Sequence, residues 1–339
     1  MLLADLTTLG LGGPAADVVE ARTEAELVDA VRSLDAAGTP VLVVGGGSNL
    51  VVADEGFPGS VVRVLTTGFD ELAGGAVAVA AGEDWDSVVA RLVAQDRVGV
   101  EALSGIPGAT GATPVQNVGA YGQDLSQTCS GVRALDRTSG EVLELGAADC
   151  DFGYRHSRFK AERDRWVVLS VHLSLASGPL SAPVRYAELA QALGVEVGER
   201  APLAEVREAV LSLRRGKGMV VDPADPDSRS AGSFFTNPVL TDAELAALRD
   251  RLPDMSVPAY PDQGGWKVSA AWLIERAGFA KGDVDGPVGL STKHVLALVN
   301  RGGGTTQDLV RAARTVRDAV RDRLGVVLVP EPVLVGVEL

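Results

Sequence analysis

Residues 104–123 read SGIPGATGATPVQNVGAYGQ, a stretch in which every side chain is small, apolar or hydrogen-bonding and none is charged. Such a segment can lie flat against a planar ligand and offer it backbone donors and acceptors, because glycine lets a backbone approach closely. A plain surface loop is the alternative, although surface loops seldom hold so few charges. Short strands predicted after it, near 131–136, 141–145 and 166–174, indicate a mixed α+β fold rather than regular βαβ repetition.

A small α/β unit is predicted before this segment, in residues 15–64. Residues 23–26 have capping-box form, and apolar residues follow at helical spacing as far as Gly38. Residues 40–44 then predict a buried strand that runs into GGGSN at 45–49. Consecutive small residues expose a row of backbone N–H groups that suits a diphosphate. A tight turn between strands explains the same residues, and the spacing is not that of the dinucleotide-binding fingerprint.

A third motif is AGSFFTNP, at residues 231–238. Ser233 follows a flexible glycine and precedes two large aromatic rings, Phe234 and Phe235. The motif ends in Asn-Pro, where proline restricts the backbone of the residue before it. A serine held in this way can deliver a proton to one atom of a bound substrate. The alternative interpretation is a turn followed by a buried strand.

Two further segments place charge beside apolar residues. Residues 152–160, FGYRHSRFK, concentrate cations beside aromatic rings in an acidic chain, and Arg155 is suited to a bidentate contact with a carboxylate. A basic surface patch is the alternative. Glu331 lies between two prolines, and strands are predicted at 326–329 and 333–337. A carboxylate so placed can be partly buried and keep its proton, whereas the end of an edge strand would give the same pattern.

Composition narrows the class of protein. The chain has 339 residues, of which 46% are hydrophobic, so two or three domains with a sizeable core are expected. A net charge of −14 argues against nucleic acid or an anionic membrane as a partner, but not against anionic small molecules. With no signal peptide and no run long enough to span a bilayer, we expect a cytoplasmic protein with reduced thiols. Three histidines and two distant cysteines have no metal-ligand spacing, so no metal is expected.

Taken in order, these motifs resemble those of the UDP-N-acetylenolpyruvoylglucosamine reductases: GGGSN at 45–49, the strip 105–123, YRxS at 154–157, GSFFxNP at 232–238, and Pro330-Glu331. The resemblance covers nearly the whole chain, and five motifs in order are far more specific than any one. It implies a cytoplasmic, metal-free flavoenzyme that binds FAD non-covalently. Such an enzyme takes hydride from NADPH and reduces the enolpyruvyl group of a UDP-sugar for peptidoglycan synthesis.

The fold that the resemblance implies is α+β, with an FAD-binding part of the vanillyl-alcohol-oxidase (PCMH) type in two subdomains and a C-terminal α+β substrate-binding domain. We predict that residues 1–64 and 325–339 form the first subdomain and residues 65–218 the second. Residues 219–324 would form the substrate-binding domain, after a polar, proline-rich link. Residues 183–186, PVRY, are similar to the longer subtype of the family, in which a tyrosine-bearing loop folds over the substrate.

Residue roles follow from the same resemblance. Ser233 would be the proton donor, and Arg155 and Glu331 would polarise the substrate carboxylate. Thr236 stands where the family often has lysine, which puts phosphate contacts near it in doubt. The residues implied to hold the UDP-sugar or NADPH are Tyr154, Tyr186, Lys217, Asn237 and His294. Those implied to hold FAD are Gly45, Gly46, Gly47, Ser48, Asn49, Ser104, Gly105, Ile106, Pro107, Gly108, Gly111, Ala112, Gln116, Asn117, Gly119, Ala120, Tyr121 and Gly122.

Two other functions fit the same motifs. One is an FAD-dependent oxidase of the same fold that uses dioxygen, although the glycine-rich strips have no histidine nearby for a covalent flavin link. The other is a protein that binds a nucleotide sugar without turnover and would carry no yellow chromophore. For the reductase, the expected partners are the nucleotide sugar and NADPH, and the composition fits a monomer as well as a weak homodimer.

Overall fold

The computed structural model describes residues 1–262 and 264–339 of the chain. Close Cα neighbours divide it into two compact units. Unit 1 comprises Met1, residues 15–47 and residues 58–216, and unit 2 comprises residues 2–14, 48–57 and 217–339. The three-part division expected from the sequence stays a prediction.

Helices begin where the sequence supplies side chains that satisfy the first backbone N–H groups. Thr23 and Glu26 form the predicted capping box, with the Thr23 hydroxyl accepting from the Glu26 N–H at 3.2 Å. Thr305 and Asp308 form a second one. Asp84 caps the helix that follows it, since its carboxylate accepts from the Ser87 N–H at 2.9 Å. The described helices are α1 (Glu24–Ala36), α2 (Trp85–Ala94), α3 (Arg158–Ala161), α4 (Ala187–Leu193), α5 (Leu203–Gly216), α6 (Asp242–Arg251), α7 (Ala270–Arg276) and α8 (Thr306–Leu324).

The strands are mostly short, as expected for a mixed α+β chain. In chain order they are β1 (Ala15–Ala21), β2 (Val41–Val44), β3 (Leu50–Val52), β4 (Phe57–Val64), β5 (Phe69–Glu71), β6 (Ala76–Ala80), β7 (Arg97–Val98), β8 (Gly119–Ala120), β9 (Gln123–Asp124), β10 (Cys129–Asp136), β11 (Glu141–Gly146), β12 (Trp166–Ser174), β13 (Ala176–Ser177), β14 (Val239–Leu240), β15 (Ala259–Asp262), β16 (Gly265–Val268), β17 (Val288–Leu290), β18 (Leu298–Asn300) and β19 (Val333–Val335).

Unit 1 is built on an antiparallel sheet in the order β11-β10-β12-β6-β5, with a smaller sheet β1-β4-β2. Strand β12 alternates buried and half-buried residues, so one of its faces lies on the core. Helix α2 packs Trp85 and Leu92 into this core, where both side chains are fully buried. Cys129 and Cys150 are free, buried thiols, and burial raises their pKa values to about 12 and about 11.

Unit 2 packs α6, α7 and α8 against short sheets. Its core includes Phe234, Phe235, Leu309 and Val316, each at most 1% exposed. Strand β19 runs parallel to β3, and β16 lies between β14 and β15. No described helix has the length and apolarity that a membrane span requires.

One strand prediction, at residues 326–329, is wrong. The side chains alternate as in a strand, with Leu328 at 1% and Val329 at 59% exposure. The segment nevertheless has no ladder partner among the described residues: the Val329 carbonyl accepts from the Thr236 N–H at 3.0 Å, and the run ends in the bridge between Phe235 and Pro330. Alternation reports which side of an extended chain is buried, not whether a neighbouring strand pairs with it.

The polar segment 219–230 is not a free link, because it is hydrogen-bonded within unit 2. The buried Asp227 accepts from the Thr292 N–H at 3.0 Å and from its hydroxyl at 2.5 Å. Asp225 pairs with Lys293 at 2.8 Å. Ser230 forms a β-bridge with Val299. These contacts therefore hold in place the backbone that leads into the serine motif at residues 231–238.

Candidate active site

In unit 1 the two glycine-rich segments touch through their backbones. A Cβ atom on Gly46 would lie 2.6 Å from the Cα of Gly108, and one on Gly45 would lie 2.9 Å from the Cβ of Ala109. Neither position has room for a larger residue, so the predicted residues 45–47 and 108 come together. Small residues in contact leave backbone amides side by side, an arrangement suited to a diphosphate.

The uncharged strip 104–123 is fixed at its start by Asp86. This carboxylate accepts from the Gly105 N–H at 2.6 Å and from both terminal nitrogens of Arg207, at 2.6 and 2.9 Å. Burial alone would raise the pKa of Asp86, but the hydrogen bonds from Arg207 and Gly105 outweigh it and hold the pKa below its usual range. The first turn of α2 and helix α5 thus hold the beginning of the strip in place.

The middle of the strip is fixed to the sheet. The Gly111 N–H donates to the Ala81 carbonyl at 2.8 Å, and the Thr110 N–H to the Glu83 carbonyl at 2.8 Å. A Cβ on Gly111 would lie 2.6 Å from the Cβ of Ala81, so this position also excludes a side chain. The strip therefore keeps its backbone against the end of β6, as a rigid surface for a ligand must.

Residues 153–160 lie on the same strip. The buried Ser157 hydroxyl donates to the Val115 carbonyl at 2.8 Å, and the Asn117 amide donates to the Gly153 carbonyl at 3.0 Å. The Arg155 guanidinium donates to the Gly119 carbonyl at 3.1 Å. Residues 153–160 thereby contact three of the residues predicted to hold the cofactor. Those three are Gln116, which accepts from Lys160 at 3.0 Å, Asn117 and Gly119.

Strained backbone concentrates here. Of seven non-glycine residues with positive φ in the described chain, three belong to this site: Asn117 (41°), Tyr121 (49°) and Arg155 (49°). Such conformations cost free energy and persist only where surrounding contacts hold them. Their clustering supports a binding role for the strip and for Arg155.

Sequence reasoning missed Arg214, a largely buried residue in the last turn of α5. Burial lowers the pKa of its guanidinium to about 10, Tyr121 and Asp86 favour the charged form, and Arg155 opposes it. The residue stays cationic at neutral pH, so the electrostatics of the site include two arginines. Its spacing could have revealed it, since Arg214 stands four residues after the buried Val210 on the apolar face of the helix.

The two predicted substrate tyrosines of unit 1 are both accessible. Tyr154 is 45% exposed, and the Arg155 guanidinium lies 5.9 Å from the centre of its ring. Tyr186 is 50% exposed and meets the ring of Tyr121 edge to face, with 5.7 Å between centroids. Burial raises the pKa of Tyr121 to about 12, so this phenol keeps its proton at neutral pH.

In unit 2, Ser233 and Glu331 lie on two adjacent backbone segments. Phe234 and Phe235 are buried edge to face, with 5.1 Å between ring centroids. The Phe234 N–H donates to the Leu296 carbonyl at 2.7 Å, and the Glu331 N–H donates to the Phe234 carbonyl at 2.9 Å. The backbone segments that carry the predicted proton donor and the predicted carboxylate are therefore hydrogen-bonded to each other.

Four other predicted site residues lie elsewhere in unit 2: Asn49, Asn237, His294 and Lys217. Asn49 accepts from the Val333 N–H at 2.9 Å, and its amide lies 3.5 Å from the Glu331 carbonyl, so a predicted cofactor residue adjoins Glu331. The side-chain oxygen of Asn237 accepts from the Ala270 N–H at 2.9 Å, at the start of α7. His294 belongs to the turn that precedes Leu296, and Lys217 is the first residue of the unit after α5.

Two family models match the chain. One is described as UDP-N-acetylenolpyruvoylglucosamine reductase, C-terminal domain, and covers residues 223–335; the other is described as FAD binding domain and covers residues 15–146. These matches and the mixed helices and strands confirm the predicted α+β fold with an FAD-binding domain and a C-terminal domain.

Whole-chain similarity points the same way. A UDP-N-acetylenolpyruvoylglucosamine reductase from Thermobifida fusca is 57% identical, over 99% of this chain and 97% of the relative. One from Streptomyces coelicolor is 56% identical, over 99% of this chain and 90% of the relative. The crystal structure of the reductase from Thermus caldophilus has a TM-score of 0.68 at 25% identity, covering 99% and 97% of the two chains. The chain therefore belongs to the family of UDP-N-acetylenolpyruvoylglucosamine reductases.

Proposed function

We propose that this protein is an oxidoreductase of peptidoglycan synthesis that reduces the enolpyruvyl group of UDP-N-acetylglucosamine enolpyruvate to a lactyl ether, giving UDP-N-acetylmuramate. The observation that carries the proposal is the 57% identity to a reductase of that name over 99% of the chain. We further propose NADPH as the hydride donor, the nucleotide sugar and NADPH as the partners, and the cytoplasm as the location.

The residues of unit 1 fit an FAD. Gly45 and Gly46 leave no room for a Cβ atom beside residues 108–109, as a backbone cradle for a diphosphate requires. The strip 104–123 carries no charge and is tied to the sheet at Gly111, as a surface for a flat ring system requires. FAD, when bound, supplies the hydride transfer from the nicotinamide to the alkene.

We assign to Arg155 the stabilisation of the negative charge that develops on the substrate. The substrate is a vinyl ether conjugated to a carboxylate, and addition of hydride to its terminal carbon sends negative charge into that carboxylate. A fixed guanidinium stabilises such charge most strongly where water is scarce. The contact with the Gly119 carbonyl at 3.1 Å supports this role because it fixes the guanidinium, and the cationic Arg214 nearby favours an anionic ligand at this place.

Proton delivery is the task we assign to Ser233, with Glu331 as a second polarising group. A serine is a weak acid, so it protonates only a strongly basic carbon, which the dianionic enol formed by hydride addition supplies. The hydroxyl stands next to Phe234, whose N–H and carbonyl are both hydrogen-bonded within unit 2. This backbone support favours a fixed hydroxyl position over a mobile one.

A spectroscopic assay tests the function. The purified full-length chain should be yellow, bleach when NADPH is added without oxygen, and regain its colour when the enolpyruvyl sugar follows. Reoxidation by dioxygen alone, at a rate equal to that with the sugar, would favour an oxidase of the same fold. A colourless chain that binds the nucleotide sugar and gains no turnover with added FAD would favour a binding protein. Light scattering of the same sample distinguishes a monomer from a weak homodimer.

A further inference from the structure

Two consecutive residues at the end of the strip, Tyr121 and Gly122, contact one segment, residues 182–186. The rings of Tyr121 and Tyr186 meet edge to face at 5.7 Å. A Cβ on Gly122 would lie 2.9 Å from the Cβ of Arg185, so the two backbones are close at this point. Gln123 reaches the same segment indirectly, through a buried carboxylate.

That carboxylate is Glu101, whose side chain is fully buried. Its Oε1 accepts from the Ala182 N–H at 2.7 Å and from the Gln123 amide at 2.9 Å. Its Oε2 accepts from the Gly99 N–H at 2.6 Å. A glutamine at this place has one acceptor oxygen instead of two and would turn an NH2 group toward N–H donors. The site therefore requires a carboxylate.

The segment has further anchors within unit 1, and one of them, the apolar cluster of Val184, also includes Tyr121 of the strip. The Val184 N–H donates to the Glu199 carbonyl at 2.8 Å, and Val184 packs in a small cluster with Val206 and Val210. Arg185 and Tyr186 are exposed. Glu101 joins this segment to the end of the strip by accepting hydrogen bonds from both Ala182 and Gln123.

We propose that Glu101 is a positioning residue for the reaction: it holds Ala182 against the strip, keeps Tyr186 beside Tyr121, and thereby sets the affinity for the nucleotide sugar. This inference rests on the proposed function. Glu101 acts through the segment, and no contact of its own with a substrate is required. A buried carboxylate with three N–H donors suits this task, because losing one acceptor leaves a buried donor unsatisfied.

The test compares Glu101→Gln with Glu205→Gln in the full-length, flavin-loaded protein. Glu205 is exposed on α5 in the same unit, so its substitution makes the same change of charge away from the anchor. Trypsin cleavage after Arg185, mapped by mass spectrometry, reports how firmly the segment is held. The KM for the enolpyruvyl sugar and kcat report its effect on the reaction.

We expect Glu101→Gln to be cleaved after Arg185 at least about fivefold faster than the wild type, because a hydrogen bond to a charged group is lost. Its KM for the enolpyruvyl sugar should be about tenfold higher, whereas kcat should change less than about threefold. Glu205→Gln should match the wild type. Wild-type cleavage in a folded Glu101→Gln would overturn the anchoring role, and faster cleavage with unchanged KM would overturn the link to the sugar. If Glu101→Gln does not fold, Glu101→Asp, which keeps the charge and shortens the reach, must show both effects. If the wild type has no reductase activity, the proposed function fails, while the cleavage rates still decide the anchoring.

Discussion

The backbone N–H of Glu331 donates to the carbonyl oxygen of Phe234 at 2.9 Å, which joins the residue after Ser233 to the carboxylate-bearing segment. The neighbouring bridge between Phe235 and Pro330 continues this pairing. The relative place of the two catalytic candidates is therefore set by backbone hydrogen bonds, and removing one side chain should leave the other in position. This independence makes single substitutions interpretable.

For Ser233→Ala, we expect flavin reduction by NADPH to stay within about twofold of wild type and product formation to fall by about 100-fold or more, the usual contribution of a general acid. Stopped-flow absorbance separates the two half-reactions. Thr236→Ala is the matched control, since it removes a hydroxyl three residues away that donates to the Val329 carbonyl at 3.4 Å. An equal loss in both half-reactions would count against proton donation by Ser233.

Arg155→Ala tests charge stabilisation. If Arg155 meets charge that appears only during the reaction, kcat should fall by a larger factor than KM rises, by roughly 100-fold against less than about tenfold. Arg158→Ala is the control, because it removes a cation from the same segment whose partner, Glu162, lies 3.7 Å away in a half-exposed pair. A rise in KM with unchanged kcat would instead assign Arg155 to ground-state binding.

Helix starts could be predicted from the sequence because capping is local. Thr23 and Glu26 lie within one turn of each other, and the capping box predicted for them is present. Strand pairing is not local, so the apolar alternation at 326–329 gave a wrong strand. The polar segment 219–230 could be located but not its contacts, since Asp227 bonds Thr292, which lies far along the chain.

In the candidate site, too, local features could be predicted from the sequence and contacts between distant residues could not. Close backbone approach at the glycine-rich segments could be predicted because glycine lets two backbones come so near, and Gly46 shows this directly against Gly108. Arg214 was missed because it belongs to no motif, and only its spacing from Val210 on the apolar face of α5 indicates its burial. Glu101 was missed because its three donors come from Gly99, Gln123 and Ala182.

The contact between the glycine-rich segments makes Gly46→Ala a test of the cofactor cradle. The added methyl group would meet the Gly108 backbone at 2.6 Å, which no side-chain rotation can relieve. We expect a folded protein whose FAD affinity falls by at least about tenfold, measured by titrating flavin fluorescence. Gly216→Ala is the control, because a Cβ there meets nothing within 4 Å and the residue ends α5. Equal FAD affinity in the two variants would remove the 45–47 segment from the cofactor site.

The ion pair between Asp136 and Arg165 predicts how stability depends on pH. Hydrogen bonds from Arg165, at 3.1 and 2.7 Å, lower the pKa of the Asp136 carboxyl to about 2 despite its burial. Because the folded pKa lies below the unfolded one, about 3.9, the pair stabilises the fold fully above about pH 4. That contribution is lost as the pH falls toward 2.

Asp136→Asn should therefore lower the urea midpoint at pH 6, where the wild type has a charged carboxylate. The difference between the two proteins should shrink steadily between about pH 4 and pH 2, because protonation removes the same charge from the wild type. Asp164→Asn, at an exposed position on the neighbouring turn, provides the control and should show little change at any pH. A difference between Asp136→Asn and wild type that stays constant across this range would mean that the neutral side-chain contacts of Asp136, rather than its charge, stabilise the end of β10.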